Sequence, residues 1–285
     1  NTASVYRSTT FLERKPAHVH VIEDTTPIRV DEGVEIVGIP WTSKRPLHDL
    51  VALTIGKLEP IVDTLRVCVA HGMVDKLSPD PDDPALISLH AAENAISQNK
   101  IHYLALGDRH SLNEVGDSSR IWYAGTPEPT DYNEVKPGFA LVATINEEGV
   151  TTKEVNVGRW KFIEREQVDL NTKEDIEALR GWFEKLEDKE RTVVKLRLVG
   201  ALSLSLHSDL EEFLSHIQEI LGAVETRMNN LTVIPEDADF MDLGFSGFAS
   251  CTVERLRSNV EKLGPDSTIS RDALALLVRL AGRER

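Results

Sequence analysis

Tyr103-Leu104-Ala105-Leu106-Gly107-Asp108-Arg109-His110 is an apolar run that ends in glycine and then releases two side chains able to bind a metal. Glycine lets the backbone turn sharply, so the run reads as a buried strand followed by a loop that carries Asp108 and His110. A carboxylate and an imidazole two residues apart suit coordination of manganese, iron or zinc, at one ion or at two neighbouring ones. The pattern recurs upstream in Arg66-Val67-Cys68-Val69-Ala70-His71-Gly72, where a β-branched run stops at a His-Gly step. A single histidine at a strand end is ordinarily a hydrogen-bonded structural residue. Two such loops in one domain point to a metal site on a β-scaffold.

The elements around these runs alternate. His18 to Ile22, Ile28 to Val30 and Val34 to Ile39, with a turn at Asp31-Glu32-Gly33, predict an antiparallel meander entering a buried strand. Residues 47–62 carry apolar side chains at helical spacing up to Pro60, and 85–98 predicts a second helix. The Trp122-Tyr123 strand and a strand from Gly138 to Ile145 are expected to complete one sheet. The whole reads as a layered α/β (α+β) domain with mixed strand pairing. The acidic loop Ser78-Pro79-Asp80-Pro81-Asp82-Asp83-Pro84 reads as an exposed proline-rich connector in preference to a rigid loop whose carboxylates bind a cation.

Past the turn Asn146-Glu147-Glu148-Gly149 the texture changes. Val155 to Phe162 predicts a strand, Thr172 to Leu186 a helix with Thr172 as N-cap, Thr192 to Leu206 a long strand, and Asp209 to Leu221 a helix. Lys161, Arg165, Lys195 and Arg197 in this unit invite a polyanion, but the neighbouring acids favour a solvated surface. Asp237 to Phe248 reads as an acidic linker, followed by helices Val253–Leu263 and Ser270–Leu280 separated by Gly264-Pro265. The apolar stripe Ala273, Leu274, Leu276, Leu277, Leu280 and Ala281 either packs back on the core or receives a partner helix.

Composition sets limits on function. The 285 residues are 41% hydrophobic, enough for a sizeable core and more than one module. The formal net charge of -15 works against unaided binding to nucleic acid, because phosphate recognition draws on Lys and Arg. Cys68 and Cys251 have neither disulfide-framework nor zinc-knuckle spacing, and both are expected as reduced thiols. With no apolar run long enough to span a bilayer and no secretory layout, the expected compartment is the cytoplasm. Asn1-Thr2-Ala3-Ser4-Val5-Tyr6 reads as the middle of a loop running into a helix, so functional residues are expected upstream.

Val69-Ala70-His71-Gly72, Tyr103 to His110, Tyr123-Ala124-Gly125-Thr126-Pro127-Glu128-Pro129 and Pro137-Gly138-Phe139-Ala140-Leu141-Val142 resemble, in order and spacing, the SbcD-like DNA-repair exonucleases. These are calcineurin-like metallophosphoesterases, and the resemblance covers residues 1–145. It implies a β-sandwich flanked by helices in a metallophosphoesterase domain (1–150), a small αβ capping domain (151–225), and a linker and helical partner-binding segment (226–285). The family is a metal-dependent phosphodiesterase family of DNA exonucleases and endonucleases. It uses two divalent ions, usually Mn2+ (alternatives Fe2+, Zn2+ and Mg2+), with an SbcC-like coiled-coil ATPase as partner and DNA as substrate, and a homodimer.

By that resemblance His71 binds one ion, the first position of the family's Gly-His-x-His loop binds the same ion, and the second binds the other. The second is retained here as His110; the first is replaced by Asp108. An oxygen donor can stand for an imidazole at manganese, with altered charge and reach. The family's Asp-x-His, Gly-Asp and Gly-Asn-His-Asp motifs, the last carrying its general acid, are not among these residues and are expected before Asn1. Two alternatives stand beside the nuclease: a phosphoesterase for a nucleotide or other small phosphoester, and a non-catalytic interaction module that recruits a partner through residues 253–281.

Overall fold

In the computed structural model, which describes residues 5–41, 43, 45–146, 149–234, 247–260, 269–270, 273–274 and 276–277, a six-stranded sheet organises the first of two units, Asn1–Arg159. Its strands are β1 (Ile28–Asp31), β2 (Val34–Ile39), β3 (Leu65–His71), β4 (Tyr103–Gly107), β5 (Asn113–Glu114) and β6 (Ile121–Tyr123), in the order β1-β2-β3-β4-β6-β5. Strands β2, β3, β4 and β6 run parallel, and the edge strands β1 and β5 pair antiparallel. The mixed α+β character expected from the sequence is what the structure shows.

Period-two alternation divides the sheet into two faces. Cys68, Ala70, Leu104, Leu106 and Ile121 are buried under helices α2 (Leu50–Ile55) and α3 (Leu89–Ser97), which follow the short N-terminal helix α1 (Thr9–Arg14). The carboxylate of Asp49 caps α2 by accepting from the Ala52 amide at 2.8 Å, and its second oxygen accepts from the amide of Ser88, the N-cap of α3, at 2.8 Å. One side chain therefore fixes the start of both helices. Both helices are shorter than the apolar spacing predicts, because these caps set their first turns inside the expected spans.

On the other face Tyr103, Leu112 and Trp122 pack against Phe139, Leu141, Ala143, Ile145 and Val150. These belong to the antiparallel hairpin of β7 (Phe139–Asn146) and β8 (Gly149–Asn156), a separate two-stranded sheet. The sequence expectation that this stretch completes the main sheet is thus corrected. β5 already occupies the outer edge of β6, so β7 directs its backbone bonds to β8 and its apolar side chains to the sheet's face. His18 to Ile22 is likewise not a strand.

The second unit, Trp160–Arg285, contains β9 (Lys161–Leu170), α4 (Lys173–Glu184), β10 (Thr192–Leu202), α5 (Leu204–Ile220), β11 (Ala223–Val233) and α6 (Phe248–Val260). Its three strands are parallel in the order β11-β10-β9. Ile176, Leu179 and Phe183 of α4 and Leu210, Phe213, Leu214 and Ile217 of α5 bury Val194, Leu196 and Leu198 of β10. The capping box of Thr172 with Asp175 starts α4 as the sequence indicates. α5 begins five residues earlier than the spacing from Asp209 predicts: Leu202-Ser203-Leu204-Ser205-Leu206 imitates strand alternation, but Ser203 accepts from the Leu206 amide and caps a helix.

β11 falls where the sequence reading saw the end of one module and the start of a linker. The stretch 157–160 separates β8 from β9, so the single strand expected from Val155 to Phe162 is two. Val253 and Leu274 are buried together against Leu204, Leu256 and Leu277, so this part of the apolar stripe packs within its own unit. The linker positions 237–246, the Gly264-Pro265 break and the rest of the final helix lie outside the described residues. Among the described residues both cysteines are free thiols, and no helix is long and apolar enough to cross a membrane.

Candidate functional site

All four parallel strands of the first unit end on one edge, where open α/β sheets gather the loops that bind ligands. β2 is followed by Trp41, β3 ends on His71, β4 on Gly107 and Asp108, and β6 leads to Gly125 and Thr126. His71 lies opposite Gly107 in the β3–β4 register. Its imidazole meets the Trp41 indole edge-on, with centroids 4.9 Å apart.

The first two predicted ligands are brought together: His71 Nε2 is 3.4 Å from Asp108 Oδ1. That separation is long for an N–H···O hydrogen bond. It matches the span of two donors each about 2.1 Å from one ion at a near-tetrahedral angle. Asp108 holds a backbone φ of 108°, outside the ordinary range of a residue with a side chain. Its carboxylate is about one third exposed, and the His71 side chain more than half, so both are open to solvent ligands.

His110, the third predicted ligand, is oriented elsewhere. Its Nδ1 lies 2.8 Å from Glu134 Oε1 and 2.6 Å from Thr130 Oγ1. Glu134 is held by the Thr130 hydroxyl at Oε1 and the Thr130 amide at Oε2, the latter at 2.9 Å, and its side chain is only 7% exposed. Burial pushes the Glu134 carboxyl upward, and the hydrogen bonds from Thr130 and His110 outweigh it, leaving it below the usual carboxylate range. Among the described residues no three His, Cys, Asp or Glu side chains converge as a metal cluster.

Two supports hold the edge. Tyr123 Oη donates to the Gly72 carbonyl at 2.6 Å and accepts from the Val74 amide at 3.1 Å, locking the turn after His71 onto β6. Gly125, at φ 75°, lets the following loop touch the His110 backbone: a Cβ there would stand 2.7 Å from the His110 carbonyl oxygen, and Thr126 N–H donates to that oxygen at 2.9 Å. Arg109 lies against the turn after His71, with Nη1 3.9 Å from Met73 Sδ and a buried Nε that has no hydrogen-bond partner among the described residues.

Trp41, Thr130 and Glu134 escaped the sequence reading. Trp41 follows Ile39-Pro40 and reads there as a strand end, while Glu134 sits in the polar loop Thr130-Asp131-Tyr132-Asn133-Glu134, whose only signal is the four-residue spacing of hydroxyl and acid. Compared with known proteins, the chain matches no family model, and no curated protein matches it.

Three of the four basic residues noted in the second unit are engaged locally. Lys161 pairs with Asp188 at 3.0 Å, Lys195 with Glu164 at 2.8 Å, and the Arg165 guanidinium covers the Trp182 ring at 5.1 Å. This arrangement supports the solvated-surface reading.

Proposed function

We propose that the chain is a metal-dependent phosphodiesterase of the SbcD-like, calcineurin-type class, acting on DNA with an SbcC-like ATPase. The observation that carries this reading is the 3.4 Å approach of His71 and Asp108 from adjacent parallel strand ends. A helix layer on one face of the sheet and a strand hairpin on the other support the sandwich architecture. The imidazole and carboxylate fit a first-row divalent cation such as Mn2+ as part of its coordination sphere. A divalent ion held there would supply Lewis-acid chemistry toward a phosphoester and a more acidic water.

The chain's own residues then have distinct tasks. His71 and Asp108 would hold the ion, Trp41 walls the His71 ring, and Tyr123 fixes the turn that carries it. Arg109, whose Nε is buried without a partner, is the proposed phosphate contact, since a guanidinium gains most from an oxyanion where water is excluded. The acidic net charge leaves productive affinity to metal ions and to the ATPase; the homodimer belongs to the same proposal.

One observation favours a small phosphoester as the second reading. An open groove of about 390 Å³ adjoins His71, lined by Ile39, Pro40, Trp41, Val69 and Gly107, and its size and apolar walls suit a single nucleotide or aryl ester.

Manganese binding to the purified chain, measured by calorimetry and elemental analysis, tests the common chemistry. Loss of affinity of about tenfold or more in His71→Ala and Asp108→Ala supports the site; an unaltered chain that retains no manganese sinks it. Hydrolysis of duplex DNA with binding that falls steeply with salt favours the nuclease. Turnover of a chromogenic diester with indifference to DNA favours the small substrate.

A further inference from the structure

The His110 loop holds more order than an exposed histidine needs. Glu134, as a carboxylate, is a hydrogen-bond acceptor only. The single hydroxyl hydrogen of Thr130 is directed to Glu134 Oε1, so toward His110 the same hydroxyl oxygen can only accept. Both atoms facing His110 Nδ1, at 2.8 and 2.6 Å, are therefore acceptors, and Nδ1 must carry the proton. We infer that Thr130 and Glu134 form a clamp that keeps a proton on His110 Nδ1, so that the neutral ring is held in its Nδ1–H tautomer and presents Nε2, with its lone pair, as the reactive nitrogen of this loop.

The clamp is anchored on both sides of the histidine. Ser111 Oγ accepts from the Val135 amide at 3.0 Å, and the Leu112 amide donates to the Lys136 carbonyl at 2.9 Å, which ties the loop bearing Glu134 to the residues just after His110. Thr126 N–H holds the His110 carbonyl from the other side. His110 Nε2 has no protein partner among the described residues, and the ring is half exposed. One hydrogen bond from a neutral, half-exposed ring adds only modestly to stability, so fixing that ring to a largely buried carboxylate fits ligand binding better than folding. A carboxylate that receives Nδ1–H is the arrangement that orients histidines toward divalent cations through Nε2. Glu134 and Thr130 are thus positioning residues. That role rests on the metal-dependent reading above; the tautomer does not.

The test is long-range 1H–15N correlation spectroscopy on the full chain with 15N-labelled histidines, in chelator, with His110 identified by the signals missing from His110→Gln. A pyrrole-type Nδ1 and a pyridine-type Nε2 are the expected pattern; Nε2–H as the dominant form overturns the inference. Glu134→Gln and, independently, Thr130→Val should shift the population toward Nε2–H, and no shift in either variant removes the clamp. Zn2+ is then titrated as probe. A shift at Nε2, with affinity reduced about tenfold in Glu134→Gln, supports the positioning role. An Nδ1–H tautomer whose Nε2 ignores Zn2+ leaves the clamp standing and overturns both the positioning role and the metal reading of His110.

Discussion

Gly107 stands directly opposite His71 in the parallel register of β3 and β4, and a Cβ at position 107 would lie 3.0 Å from His71 Nδ1. The imidazole occupies space that any other residue at 107 would claim. Gly107→Ala is therefore expected to rotate His71 away from Asp108 while the sheet stays intact. Calorimetry should show a loss of about tenfold in Mn2+ affinity, the scale of a disturbed support to a ligand. The circular dichroism spectrum should be unchanged, and unaltered affinity would separate His71 orientation from metal binding.

Tyr123→Phe removes a hydroxyl that serves two backbone groups at once, the Gly72 carbonyl and the Val74 amide. Both lose this partner in a buried setting, so the expected cost is about 1–3 kcal/mol of stability, read from urea denaturation. Metal affinity should fall as well, because the turn after His71 loosens. A variant as stable as the parent would mean that these groups find other partners.

Alkaline pH should weaken the fold through three buried groups. Burial pushes Tyr123, Tyr103 and Cys68 up to about 12 from ordinary values of 10.0, 10.0 and 9.0. A folded-state value above the unfolded one means that the unfolded chain loses its proton first, so stability is intact below about pH 9 and drains as pH rises toward about 12. Urea midpoints measured from pH 8 upward should decline across that window, less steeply in Tyr123→Phe. A flat profile would show that these groups titrate alike in both states.

Leu274 is 3% exposed in a cluster with Val253, whereas Leu276 is 46% exposed. Leu274→Asp should open this region to limited proteolysis, because a buried carboxylate without a partner is costly. Leu276→Asp should leave the digestion pattern unchanged and is the variant that tests the stripe as a partner surface. Equal sensitivity of the two would contradict the packing.

Legibility from sequence followed the range of the interactions. β3, β4 and the cap of α4 are local patterns of apolar runs, glycine and Thr-x-x-Asp, and these were readable. The place of β7 was not, because it depends on β5 having taken the edge of β6. The start of α5 was masked by Leu-Ser alternation, which satisfies either period over five residues until Ser203 closes its cap. At the site, His71 and Asp108 were readable as strand-end donors, and their meeting follows from the pairing of β3 with β4. Glu134 was not, since its bond to His110 spans 24 residues and leaves no periodic trace.

The φ of 108° at Asp108 places one amino acid at odds with its own backbone. Holding a side chain in such a region costs on the order of 1–3 kcal/mol, and glycine would relieve most of it. Folding alone would therefore favour Asp108→Gly, a change that erases the carboxylate facing His71. On the metal-dependent proposal, a search for thermostability and a search for activity select opposite residues at position 108. A library screened only for melting temperature would discard the carboxylate on which the proposed metal site depends.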